Sequence, residues 1–304
     1  MADVITTSAG VFVPDIIGRE MVKGFTGKVV LQGSGAVVVM PGLKVGDKGV
    51  GSEIPVPYWA NIGEFDVLID GQRIEVVQMT SADERAAIQR FGKGVDVTRQ
   101  GFGAQVAGGR TPDQIAADML RTGAVRGFDS ALITAAIANV AGAWDPYTLD
   151  ISGEAGSAAY FSLDAAVDTI GLLGDEGLNP SEYALTMMHS KTAVYMLKMK
   201  DSSGRPLLYQ DGAGGNSGNF RLMGIPVKVT GRLAASGGVY QTVFLKRNSL
   251  ALWLDSSPGI DVLRVGATDS WRMDANVYAI VHRYNHLDGG SMPGVAVLKH
   301  KLPG

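Results

Sequence analysis

The chain has no cysteine, so disulfides, thiol nucleophiles and thiolate metal sites are excluded together. Histidine is scarce as well, at four residues. Only His282 and His286 stand at ligand spacing, and the β-branched run before them predicts a strand on which both share a side without chelating a metal. His189, in MMHSK, is expected to cap a helix or turn, and His300 is expected to be a solvated strand residue. No stretch reaches the roughly 18 consecutive apolar residues of a membrane-spanning helix. The nearest, Ala131 to Trp144, is broken by Thr134, Asn139 and Gly142. The opening MADVITTSAG lacks a basic segment followed by an apolar core, so no secretory signal is expected and a soluble cytoplasmic product is. A basic excess is missing too: 27 Lys and Arg against 30 Asp and Glu give a net charge of -3, which disfavours a protein that coats nucleic acid by neutralising phosphates.

Glycine, by contrast, is plentiful at 41 of 304 residues, and implies many turns and close backbone approaches. With 46% hydrophobic and 19% charged residues, the chain is apolar enough to fold, as one large or two modest domains.

From Val11 to Leu31, apolar Ile16, Ile17, Met21 and Val22 at helical spacing predict a short helix inside an extended N-terminal arm. The glycine-punctuated GSGAVVVMPGLKVGDKGVGSE reads as an extended segment that crosses a partner surface. Between Ile54 and Val97, IPVPYWA and RIEVVQM flank an Asp70-Gly71 turn signal and predict a long β-hairpin. Its distal part, Asn61 to Glu75, sets Glu64, Asp66, Asp70 and Glu75 against Arg73 alone, and leaves Phe65, Val67 and Leu68 without a core. A bare two-stranded ribbon is marginally stable, so contact with another chain is expected to order the tip.

Thr111-Pro112-Asp113-Gln114 matches a capping box with proline at the first helical position. From it Ile115, Met119, Val125, Leu132, Ile133, Ala136, Ile137 and Val140 recur at three- and four-residue steps. They predict a helix to Gly142 of about 30 residues and roughly 45 Å, a spine in which Gly123 and Gly127 permit bending or close packing. Beyond a loop from Trp144 to Ala159, Ser162 is expected to cap a second helix with Leu163, Val167, Ile170 and Leu173 on one face. Strand YALTMM, helix SKTAVYMLKMK, the glycine-rich loop SSGRPLLYQDGAGGNSGN and strands IPVKVT, QTVFLK, LALWL, IDVLRV, ANVYAIVHRY and VAVLKHK follow. Strands after helices without regular βαβ repetition predict an α+β fold.

Catalytic chemistry is not legible. GSGAVV, GKGVDV and GFGAQV lack the third glycine of the dinucleotide fingerprint and a lysine-terminated phosphate loop, and read as turns and strand ends. GAGGNSGN lacks the spacing of a nucleophile elbow and reads as a flexible loop. The adjacent carboxylates Asp83-Glu84 and Asp175-Glu176 are expected to be solvated. No catalytic, cofactor-binding or metal-binding residue is assigned, and an α+β enzyme is set aside for want of a site.

The order of parts (arm, long hairpin, capped spine helix, mixed α/β unit, returning strands) resembles the major capsid proteins of tailed bacteriophages, with their Hong Kong 97-type coat fold. GSEIPVPYWANIGE is similar to the ascending hairpin strand of such coats, RFGKGVDVTRQG to their descending strand, and LMGIPVKVTGRL to their Gly-Ile-Pro-Val segment. The resemblance implies an N-terminal arm at 1–53 and an extended β-hairpin, or E-loop, at 54–94. It implies a peripheral domain at 95–161 and 256–304, with the spine helix at 111–142, and an axial domain at 162–255. The implied function is self-assembly as pentamers and hexamers into the icosahedral head of a virion enclosing double-stranded DNA, put together in the host cytoplasm. The near-neutral charge suits a shell lining that tolerates packed DNA, contacted non-specifically. Other copies of the chain, a separate scaffolding protein, a portal protein and a possible decoration protein are the implied partners, without a membrane. An encapsulin-type bacterial compartment packaging protein cargo is the alternative; the extended GSGAVVVMPG favours the virus.

Within this frame the E-loop tip (Glu64, Phe65, Asp66, Asp70, Arg73) is expected to dock on a basic surface of a neighbour, with Arg110, Arg121 and Arg126 as candidates. No lysine lies between Glu53 and Gly92, so the isopeptide cross-link of some family members is not expected. Asn276 and Asn285 would be acceptors without their nucleophile.

Overall fold

The computed structural model describes residues 31, 34–43, 53–59, 81–98, 112–138, 147–200, 209–210, 220–233, 237–255, 259–265, 270–285 and 294–303. The described residues form an α+β structure of two sheets and three α-helices. The six-stranded sheet contains β1 (Val37–Leu43), β2 (Glu53–Trp59), β3 (Ser81–Thr98), β10 (Leu250–Asp255), β11 (Gly259–Val265) and β12 (Ser270–Arg283). Its order is β1-β10-β12-β3-β2, with β11 also paired to β12. The seven-stranded sheet runs β4-β13-β9-β5-β8-β7-β6. Its strands are β4 (Thr148–Asp150), β5 (Tyr183–Met188), β6 (Tyr209–Gln210), β7 (Phe220–Leu222), β8 (Ile225–Val229), β9 (Tyr240–Lys246) and β13 (Val295–His300).

The helices are α1 (Pro112–Ile137), α2 (Leu163–Gly171) and α3 (Ser190–Lys198). As expected, Ser162 caps α2, its hydroxyl accepting from the Ala165 N–H at 3.1 Å, and His189 caps α3, its Nδ1 accepting from the Lys191 N–H at 3.2 Å. The long helix ends at Ile137 instead of Gly142. There Arg283, reaching across from β12, donates to the Ala136 carbonyl at 3.4 Å, a cation placed where the helix dipole favours one.

One apolar cluster holds the two sheets and α1 together. Helix α1 contributes Ala116, Leu120, Val125, Phe128, Leu132, Ile133 and Ala136. The six-stranded sheet adds Leu250, Leu252 and Leu254 with Met273, Ala275, Val277 and Ala279; the other sheet adds Leu185, Met187, Val243, Leu245, Val295 and Val297. Met119, expected on the buried stripe of α1, is exposed, and Leu120 is buried in its place. The alternate residues of β5, β9 and β13 turn the other way. Met188, Phe244, Ala296 and Leu298 pack in a second cluster with Ala165, Ala166 and Ile170 of α2 and Ala193 and Met196 of α3. Val167, also expected inward, is exposed on the outer side of α2.

The extended segment expected to cross a partner surface finds it, over 37–43, within its own chain: β1 pairs in parallel with β10, from Val37 against Leu250. Leu31, Ala36 and Val37 join the main cluster. Part of the predicted loop from Trp144 to Ala159 is ordered by pairing, since β4 runs parallel to β13 over Thr148–Asp150. The tip of the predicted hairpin and the loop GAGGNSGN lie outside the described residues.

Candidate assembly surfaces

Strand β3 has 18 residues, and its two halves have different partners. Residues Ile88 to Thr98 pair with β12, whereas Ser81 to Ala87 pair with β2. The first half therefore leaves the sheet as a two-stranded ribbon, with a small cluster at its base: Val56, Ala86 and Ile280, flanked by Ile54, Ile88, Trp253 and Tyr284.

A polar chain fixes the same base. Glu84, expected to be solvated, is only 14% exposed and lies 2.9 Å from Nε2 of His282, itself 11% exposed. Glu84 sits in the half of β3 paired with β2, and His282 and Asn285, remote in sequence, close over it, so nothing in the neighbouring sequence announces its burial. Asn285 Nδ2 donates to the same carboxylate at 3.3 Å, and Asn285 Oδ1 accepts from Arg283 Nε at 3.2 Å. Through Arg283 the hydrogen bonds run from the ribbon to the last turn of α1. Tyr284 stacks edge-on against His282 at 5.6 Å; burial, and secondarily the Glu84 charge, raise its pKa. His282 is on a strand as expected, while His286 lies outside the described residues.

On the sheet face away from α1, Gly92 and Gly94 sit in mid-strand, although GKG reads as a turn or strand end. A Cβ at Gly92 would stand 2.7 Å from Asn276 Oδ1, and one at Gly94 would stand 2.2 Å from Asp274 Oδ1. The glycines are thus the floor over which β12 side chains lie. Arg90 donates to Asn276 Oδ1 at 3.0 Å and Arg272 to Asp274 at 2.9 Å. With Lys93 they line an open, mostly basic notch. Both asparagines considered as cross-link acceptors, Asn276 and Asn285, thus have their amide oxygens in intrachain hydrogen bonds.

The predicted docking residues are divided. Glu64, Phe65, Asp66, Asp70, Arg73 and Arg110 lie outside the described residues. Arg126 is exposed on α1, whereas Arg121 is half-buried. His300, expected to be solvated, is fully buried: Thr242 Oγ1 lies 3.2 Å from its Nε2, and Phe161 and Tyr240 flank its ring. Sequence reasoning missed it because a position near the end of the chain usually signals exposure, whereas β13 lies between β4 and β9.

Among the described residues there is no cluster of three His, Asp or Glu side chains able to hold a metal, and no helix long and apolar enough to cross a membrane. A family profile described as phage capsid protein matches residues 81–288, and the chain belongs to that family. It is accordingly a structural protein of a bacteriophage capsid, the icosahedral shell of the virion.

Solved structures share the fold. The capsid of a native GTA particle has 16% identity and a TM-score of 0.61, covering 89% of this chain and 89% of that one. A chain of Microbacterium phage Oxtober96 has 12% identity and a TM-score of 0.57, over 88% and 90% of the two chains. The holo-SrpI encapsulin complex of Synechococcus elongatus PCC 7942 has 10% identity and a TM-score of 0.57, over 86% and 83%. A comparison with curated protein sequences returns no match.

Proposed function

We propose that the chain is the major capsid protein of a tailed bacteriophage, assembling as pentamers and hexamers into a head that encloses double-stranded DNA. The carrying observation is the ribbon of β2 and the first half of β3, which runs off the sheet. Two strands alone are marginally stable, so the ribbon is built to be completed by a neighbouring copy. In this reading β2 and β3 are the base of the E-loop at 54–94, and α1 is the spine of a peripheral domain formed by 95–161 and 256–304. Residues 1–53 are the arm, and 162–255 form the axial domain. The acidic tip (Glu64, Phe65, Asp66, Asp70, Arg73) meets a basic surface that includes Arg110, Arg121 and Arg126. A scaffolding protein, a portal and, where present, a decoration protein complete the head, assembled in the host cytoplasm. The shell has no catalytic role.

The encapsulin-type compartment stays as the second reading because the SrpI shell has a similar fold. Negative-stain imaging and nucleic-acid analysis of particles from an infected or expressing host separate the two. Heads containing DNA or bearing tails support the phage reading. Small closed shells filled with protein support the compartment, and small soluble oligomers overturn both.

A further inference from the structure

The seven-stranded sheet carries α2 and α3 packed into one apolar cluster; α3 leaves an apolar side uncovered, and α2 leaves one valine. Helix α2 buries Ala165, Ala166 and Ile170 and turns Asp164, Val167 and Asp168 outward. Helix α3 buries Ala193 and Met196 and turns Lys191, Val194, Leu197 and Lys198 outward. Val167 is 42% exposed, Val194 52% and Leu197 41%. Val194 and Leu197, three residues apart, form a solvent-facing apolar stripe on α3, whereas α2 presents Val167 alone between two carboxylates.

The two outer faces are opposite in charge. Two carboxylates flank Val167, and two ammonium groups flank Val194 and Leu197. None of these four charged side chains has an ion-pair partner among the described residues. Nor do the helices themselves account for the arrangement. Asp164 and Lys198 sit at the ends that the helix dipole favours, but Lys191 is in the first turn of α3 and Asp168 in the last turn of α2, both against the dipole. Beside α3 the surface is concave, a groove of about 790 Å³ between the helix, Tyr240 and Leu302-Pro303, with Lys191 and Lys198 on its wall.

Resting on the shell reading, we propose that copies of this chain meet through these helices, the acidic outer face of α2 around Val167 on one copy seated against the basic apolar stripe and groove of α3 on the next. Every copy carries both halves, so the contact repeats from copy to copy. The occupant of the groove is thus a second copy, selected by charge and held by the buried apolar positions.

Charge exchange on the full chain tests the contact. The variants are D164K/D168K, K191E/K198E and the combination of all four substitutions, each compared with the parent by sedimentation and negative-stain imaging at low salt, with circular dichroism to confirm folding. Each double variant is expected to lose assembled material by about tenfold or more, because like charges then face each other, and the fourfold variant is expected to recover it. Double variants that assemble like the parent would overturn the contact and leave the shell reading intact. So would a folded fourfold variant as dispersed as the doubles. A parent chain that never assembles would sink the shell reading itself.

Discussion

Asp129 of α1 and Arg232, in the turn after β8, form an ion pair between residues 103 positions apart, tying the long helix to the seven-stranded sheet. The carboxylate is 4% exposed and the guanidinium 35%. Burial raises the Asp129 pKa, while the Arg232 charge and the Leu31 N–H pull it back down. Removing the arginine leaves a buried carboxylate with its main counter-charge gone. Arg232→Ala is expected to cost about 1–3 kcal/mol, read by chemical denaturation. An unchanged midpoint would mean that water replaces the guanidinium without loss.

His300 predicts a dependence on pH. Burial pushes its pKa down to about 4, opposed by the Lys301 carbonyl. The unfolded chain, with a histidine pKa of about 6.5, therefore binds the proton more readily between about pH 6.5 and pH 4. Stability is expected to be full above that window and to fall as the pH drops through it, by at most about 1.4 kcal/mol per unit. In His300→Gln the contribution to the slope should vanish. Denaturation curves for both proteins at several pH values decide it, and parallel pH profiles would remove His300 as the source.

At the ribbon base, Glu84→Ala deletes the acceptor shared by His282 and Asn285. The global stability change should be modest, about 1–2 kcal/mol, with the larger effect local. Backbone amides from Ala82 to Ile88 should exchange faster with deuterium than in the parent, while those of α1 before its last turns keep their protection. Uniform acceleration throughout the chain would show instead that the cluster supports the whole core.

Two glycines should respond in opposite directions to alanine. At Gly177 a Cβ would lie 2.2 Å from the Ile170 carbonyl oxygen, a backbone atom that cannot swing away, so Gly177→Ala should destabilise the chain. At Gly123, inside α1, nothing lies within 4 Å of the new methyl, so Gly123→Ala should stabilise by about 1 kcal/mol. Thermal melts of the two variants test the contrast; a loss at Gly123 would mean that the helix needs its backbone freedom there.

Local chemistry made the caps at Ser162 and His189, the strand at IPVPYW and most of α1 readable, because each depends on neighbours within a few residues; the return strand expected at RIEVVQM lies outside the described residues, and IPVPYW pairs with 81–86. Long-range packing was not readable. Gly92 and Gly94 look like a turn until Asn276 and Asp274 are laid across them, and Glu84 looks solvated until β12 arrives beside it. Val167 fits the expected periodicity of α2, yet Ala165, Ala166 and Ile170 pack onto Phe244 and Leu298 while Val167 turns outward. The acidic run Glu64, Asp66 and Asp70 was legible as composition, and those residues lie outside the described residues of the structure.

The pairing of β1 with β10 also orders events in time. Val37 finds its partner, Leu250, roughly 200 residues later, and β3 waits similarly for β12, separations that make folding slow. A nascent chain leaving the ribosome presents β3 and its projecting ribbon well before the central strand β12 exists. Unpaired strand edge thus precedes a completed core during synthesis, and crowded polysomes making this protein in bulk expose such edges to one another. Any factor that shields the ribbon during this interval protects the yield of folded subunits before shell building starts.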